Sequence, residues 1–196
     1  MVPYVERPLE GVVYPSQARA EAALASGGWI ANTVGGALRE TARRHPQRPA
    51  LIGDERTITF AELDEATERL GAALLASGIA PGERAICQLG TTVETAIVLL
   101  ACFKAGIVPV CSLPQHREIE IGQLTEQSGA SVYFVQADFS PSFDLPAFAE
   151  SMMARHGSLR HLVLVRGERA GAAGMQALID GMPLAQARER LAQVPL

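Results

Sequence analysis

From Arg84 to Val165 the chain alternates short apolar runs with longer segments of helical periodicity, and this alternation restricts the fold more than any other feature. Arg84-Ala85-Ile86-Cys87-Gln88-Leu89, Ile107 to Cys111, Ser131-Val132-Tyr133-Phe134-Val135 and His161-Leu162-Val163-Leu164-Val165 read as strands. Between them lie predicted helices at about Val93 to Ala105, Glu118 to Ser128 and residues 146–156. Parallel strands need a crossover connection, and a helix supplies it, so strand–helix repetition predicts a parallel sheet with helices on both faces. The Val93–Ala105 helix is apolar on most sides, which places it between layers. Ile107 to Cys111 shows no polar alternation, as expected of an interior strand covered on both faces.

The N-terminal half adds a smaller element. Ala50-Leu51-Ile52 and Thr57-Ile58-Thr59-Phe60 are β-prone and flank Gly53-Asp54-Glu55-Arg56, a hairpin signal. Thr59 with Glu62 forms a capping-box pattern for a helix with Phe60, Leu63, Thr67, Leu70 and Leu74 on one face. Thr91 with Glu94 suggests a second box. Ser16 and Thr33 are predicted to cap helices ending near Ser26 and His45-Pro46. Pro3, Pro8 and Pro15 make residues 1–15 an extended arm, which Trp29 is expected to pack onto the body. Gly167 to Gly174 reads as a flexible linker before two short helices, Met175–Ile179 and Pro183–Gln193. The expected organisation is an arm and helix over residues 1–32, then one α/β unit over residues 33–196: a mostly parallel sheet with helices on both faces, plus a small β-hairpin.

A net charge of −4 offers no basic footprint for nucleic acid and no attraction to an anionic membrane surface. The longest apolar run, Ala96 to Phe103, is too short to span a bilayer. The start Met1-Val2-Pro3-Tyr4-Val5-Glu6-Arg7 lacks the pattern of a secretory signal. The expectation is a soluble cytoplasmic protein without a nucleic-acid or membrane partner. Cys87, Cys102 and Cys111 fit neither a disulfide framework nor a zinc site, and all three are expected to be reduced core thiols.

The sequence contains no G-x-x-x-x-G-K-[ST], no G-x-G-x-x-G and no G-x-S-x-G elbow. His45, His116, His156 and His161 show no metal-ligand spacing, although His156 and His161 could approach each other across a turn. No catalytic, cofactor-binding or metal-binding residue is therefore assigned. His116-Arg117 differs from the rest. It follows the C-terminal end of a predicted parallel strand, where open α/β sheets place their ligands. Arg117 carries a planar fork of donors suited to phosphate. The alternative reading of Arg117 is an ordinary surface arginine near a helix start.

Several segments, in this order, resemble the adenylate-forming (AMP-dependent synthetase/ligase) superfamily. They are Thr33 to Arg44, Arg48-Pro49-Ala50-Leu51, Thr57 to Leu63, Gly82-Glu83-Arg84-Ala85 and Cys102-Phe103-Lys104-Ala105-Gly106-Ile107-Val108-Pro109. The Trp29 arm and Leu113-Pro114-Gln115-His116-Arg117 look more like the branch that activates 2,3-dihydroxybenzoate or salicylate for siderophore assembly. The resemblance implies a two-step reaction. A carboxylate attacks the α-phosphate of ATP, and a thiol of CoA or of an aryl carrier protein then takes the acyl group. It implies ATP and Mg²⁺ for a full-length parent. The family's phosphate loop, acid pocket and C-terminal domain have no counterpart in this sequence. The chain is accordingly expected to be an N-terminal subdomain, inactive alone, that partners the remainder of a ligase chain and is prone to self-association. The resemblance also places Arg117 near the acceptor. An acyl-CoA ligase for fatty or alicyclic acids, and a non-catalytic partner- or carrier-binding module, are the alternative readings.

Overall fold

The computed structural model describes residues 12–194. Most of the predicted proline-rich arm, residues 1–11, lies outside the described residues. Helix α1 (Gln17–Ala25) starts at Ser16, whose hydroxyl accepts from the Arg19 amide. Helix α2 (Val34–Arg44) starts at Thr33 in the same way, accepting from the Gly36 amide. Strands β1 (Pro49–Ile52) and β2 (Thr57–Thr59) pair antiparallel as the predicted hairpin. Thr59 then opens helix α3 (Phe60–Ala76) with a complete capping box. The Thr59 amide donates to Glu62 Oε2 at 2.7 Å, and the Glu62 amide donates back to Thr59 Oγ1 at 3.3 Å.

The main sheet is parallel throughout. Its strands are β3 (Arg84–Gln88), β4 (Val108–Ser112), β5 (Val132–Gln136), β6 (His161–Val165) and β7 (Ala173–Gly174), in the order β4-β3-β5-β6-β7. Helices α4 (Val93–Ala105), α5 (Glu118–Ser128) and α6 (Leu145–Arg155) connect them, and α7 (Met175–Asp180) and α8 (Leu184–Leu191) follow. Successive strand residues point to opposite faces, and the two cores follow that alternation. Ala85, Cys87, Val132, Phe134, Val163 and Val165 join α3, α4, α7 and α8 on one face. Ile86, Tyr133, Val135 and Leu164 join α5 and α6 on the other. Both faces are covered, as the alternating pattern requires.

Four expectations need correction. β4 is an edge strand of this sheet, not an interior one, with residues 108–110 only partly buried. Pro109 lacks an amide hydrogen, and an edge tolerates that loss. Cys111 is exposed for the same reason, whereas Cys87 and Cys102 are buried. Burial raises both of those thiols, Cys102 to about 12. The α4 cap is Thr92 rather than Thr91, with its hydroxyl accepting from the Thr95 amide. The glycine-rich stretch after β6 contains β7, whose small residues pair with Val163 and Leu164. Trp29 is 41% exposed, and most of the arm it is expected to pack lies outside the described residues.

Charges are buried between α2, α3, α4 and α8. Lys104, the only lysine in the chain, donates to Asp64 Oδ1 at 2.5 Å and to the Asp64 carbonyl at 3.0 Å. Glu68 has no exposed surface, and its two oxygens accept from Arg39 Nε at 3.0 Å and Arg188 Nε at 2.8 Å. A carboxylate so enclosed needs its cations, because unpaired burial is costly. Helix α2 comes close enough here that a Cβ on Gly35 would lie 2.8 Å from Lys104 Cγ. Gly106 ends α4 at φ +68°, a left-handed cap that glycine adopts without strain.

Candidate functional site

The C-terminal ends of adjacent parallel strands are where an open α/β sheet offers ligands its loops. Three neighbouring strands here end in a polar residue: Gln88 on β3, Ser112 on β4 and Gln136 on β5. All three are buried. Gln136 accepts from the Gly90 amide at 2.9 Å and donates to Asp138 at 2.8 Å, tying together the loops after β3 and β5.

Gln88 does the same for the loop after β4. Its Nε2 lies 2.9 Å from the His116 carbonyl, 3.2 Å from that of Pro114 and 3.4 Å from that of Leu113. Its Oε1 accepts from the Tyr133 hydroxyl. Tyr133 is fully buried, and burial holds its phenol above the ordinary value, while the nearby Arg117 charge pulls the other way. The phenol therefore stays a donor at neutral pH, and the Gln88 amide has one orientation that satisfies all its neighbours.

His116 and Arg117 lie on that loop, as the sequence placed them. His116 Nδ1 is 2.9 Å from Ser112 Oγ. The Arg117 main-chain amide donates to Glu120 Oε2 at 3.0 Å, fixing the start of α5. The Arg117 guanidinium stacks over Phe143, with Cζ 3.8 Å from the ring centroid. Its Nη1 donates to the carbonyls of Pro114 at 2.9 Å and His116 at 2.7 Å. Part of the fork is thus used within the wall itself. The Arg117 main-chain carbonyl accepts from the Ile121 amide at 3.0 Å, and among the described residues the guanidinium donates hydrogen bonds through Nη1 only. Sequence reasoning missed Gln88, Ser112, Tyr133 and Phe143.

It also missed Arg166, just beyond β6. Among the described residues Arg166 is the one non-glycine with positive φ, at 58°. Its guanidinium donates to Glu55 at 2.6 Å through both Nη atoms and to Asp138 at 2.9 Å through Nε. Nη1 also reaches Glu94 at 3.5 Å. Hydrogen bonding to Glu55 and Asp138 raises the Arg166 pKa, and Arg166 in turn lowers that of Glu55. One arginine thereby links the hairpin, the start of α4 and the loop after β5.

Among the described residues no three His, Cys, Asp or Glu side chains converge into a cage for a metal ion. No described helix is long and apolar enough to cross a membrane. His156 lies 4.0 Å from Glu126, and among the described residues no hydrogen bond joins it to His161.

A five-stranded parallel sheet with helices on both faces, plus an antiparallel hairpin, defines an open α/β domain. More particularly, the chain belongs to the AMP-binding enzyme family, which matches residues 38–181. It is 37% identical over 158 residues to a salicyl-AMP ligase/salicyl-S-ArCP synthetase of Mycobacterium tuberculosis, covering 78% of this chain and 28% of that one. It is 32% identical over 142 residues to the vibriobactin-specific 2,3-dihydroxybenzoate-AMP ligase of Vibrio cholerae, covering 72% and 26%. The apo structure of Mycobacterium smegmatis MbtA superposes with a TM-score of 0.78 at 31% identity, covering 88% and 32%. The chain spans less than a third of the length of each of these relatives.

Proposed function

We propose that this chain is the N-terminal subdomain of an ATP-dependent ligase that activates an aryl acid such as salicylate or 2,3-dihydroxybenzoate. The carboxylate displaces pyrophosphate from ATP to give an acyl-adenylate, and a thiol then displaces AMP. The acceptor thiol is carried by an aryl carrier protein, with CoA as the alternative. The observation that carries this reading is the 37% identity to a salicyl-AMP ligase over most of the chain. The Gln88-supported loop bearing His116 and Arg117 is assigned to the acceptor side, near the pantetheine phosphate or the carrier surface. Its cation and its imidazole suit an anionic group. Among the described residues no carboxylate cluster forms a cage for Mg²⁺, and no step assigned to this chain uses the ion. Without a triphosphate-gripping loop the chain alone lacks the groups that stabilise a phosphoryl transition state.

The test is ATP–pyrophosphate exchange by the full-length polypeptide that carries this chain, with salicylate, 2,3-dihydroxybenzoate and a fatty acid, followed by thioester formation with carrier protein and with CoA. Exchange with an aryl acid is expected, and none from residues 1–196 alone. Arg117→Ala should slow thioester formation more than adenylation. Exchange with the fatty acid only, or robust exchange by the isolated chain, would overturn the reading. Equal loss of both half-reactions in Arg117→Ala would remove the acceptor assignment.

A further inference from the structure

We infer that Gln88, oriented by Tyr133, is the positioning residue that gives the 113–117 loop its acceptor-facing form; the inference rests on the acceptor assignment made above. The argument begins with an asymmetry in the Gln88 side chain. A glutamine amide can present either end to a neighbour. Here the Tyr133 hydroxyl donates to Oε1, so Nε2 is turned to the loop and meets the carbonyls of Leu113, Pro114 and His116. Reversing the amide would set its NH₂ against a donor and its oxygen against three acceptors. Both Gln88 and Tyr133 are fully buried, so water does not relieve that mismatch.

The orientation then propagates through the peptide planes. No cis peptide occurs among the described residues, and in a trans peptide the carbonyl and the amide hydrogen point in opposite directions. With the Pro114 carbonyl drawn inward to Gln88, the amide of Gln115 is directed away from the sheet. The His116 carbonyl is drawn inward as well, while the Arg117 amide turns to Glu120. Ser112 holds the imidazole of His116 through Nδ1, which leaves Nε2 as the nitrogen turned from β4. Pinning these carbonyls therefore sets the Gln115 amide, His116 Nε2 and the remaining Arg117 donors as one group of contacts for an anionic moiety of the acceptor. Gln88 touches none of the reacting atoms. It acts through the loop.

The experiment uses Gln88→Met and Tyr133→Phe, which keep the buried volumes nearly unchanged. In the full-length polypeptide both should raise KM for the carrier-protein or CoA acceptor by about tenfold, the size expected from losing one buried hydrogen-bonded contact. The adenylation rate with an aryl acid should stay within about twofold, which is the range of a near-neutral change. In the 196-residue chain, exchange of the His116 and Arg117 amides, which donate to the Leu113 carbonyl and to Glu120, should accelerate in both variants while β5 and β6 stay protected. Unchanged exchange in that loop, or equal loss of both half-reactions, would overturn the inference. Arg117→Ala serves as the control. If it impairs thioester formation and Gln88→Met does not, the positioning role fails alone. If Arg117→Ala has no effect on thioester formation, the acceptor assignment fails and the positioning role goes with it.

Discussion

Replacing Lys104 with Met should destabilise the chain more than the loss of one surface charge could. The Lys104 and Asp64 side chains are only 2% and 9% exposed, and the ammonium also donates to the Asp64 main-chain carbonyl. Methionine keeps an unbranched stem against Gly35, so packing changes little and the loss is mainly electrostatic. Removing one partner of a buried pair costs about 3–5 kcal/mol. Asp64 borders a solvent-open cleft between α2, α3 and α8, so partial rehydration brings the expectation to about 3 kcal/mol. For a chain of this length that lowers Tm by roughly 6–12 °C. Urea denaturation of Lys104→Met, Asp64→Asn and the double variant should give a coupling energy of about 1–3 kcal/mol. Burial lowers the Lys104 pKa, and Asp64 partly offsets the shift. The unfolded chain therefore binds this proton more tightly than the native one. Stability should rise with pH across the window between the lowered native value and the ordinary lysine value. Asp64→Asn removes the offset and widens that window. With one lysine in the sequence, a single side-chain Nζ resonance reports the titration. Stability of Lys104→Met within about 0.5 kcal/mol of the parent, the range of an uncoupled surface change, would refute this account. So would native-state labelling of Lys104 by an amine-directed reagent.

Two further outcomes follow from local geometry. Gly35→Ala drives a methyl group to within 2.8 Å of Lys104 Cγ, whose position is fixed by Asp64. It should cost about 1–3 kcal/mol in urea unfolding, as overpacking does, and much less in a Lys104→Ala background. Thr59→Ala removes one half of the capping box that starts α3 and should cost about 1 kcal/mol, read as a lower denaturation midpoint at unchanged m-value.

The sheet was legible because periodicity survives in sequence. Glu118 to Ser128 and His161 to Val165 coincide with α5 and β6 at both ends. Caps at Ser16, Thr33 and Thr59 were readable for a related reason, since a hydroxyl just ahead of an apolar-periodic run has one good use. Strand order was not readable. An apolar run such as Ile107 to Cys111 fits an edge or an interior position until its neighbours are known. β7 was invisible because two small residues in a glycine-rich stretch carry no pattern. His116 and Arg117 were found from their place after a strand. Their support was not, because Gln88 and Tyr133 sit 45 positions apart in the chain and meet only once β3 and β5 are paired. A usable signal did exist: Gln88 and Gln136 each close a run of buried strand residues with an amide. Arg166 gave none, since its left-handed backbone and its three carboxylates come from distant segments.

The strict two-sidedness of β5 has a bearing on how the loop is assembled. Tyr133 and Phe134 are adjacent in sequence yet serve opposite layers. If β5 docked one residue out of step between β3 and β6, the phenylalanine would occupy the place of the phenol and the phenol would enter an all-apolar layer. Gln88 would then lose its hydroxyl donor although every strand remained paired. Correct threading of five residues in the middle of the sheet is thus also a proofreading step for a surface loop contributed by another part of the chain.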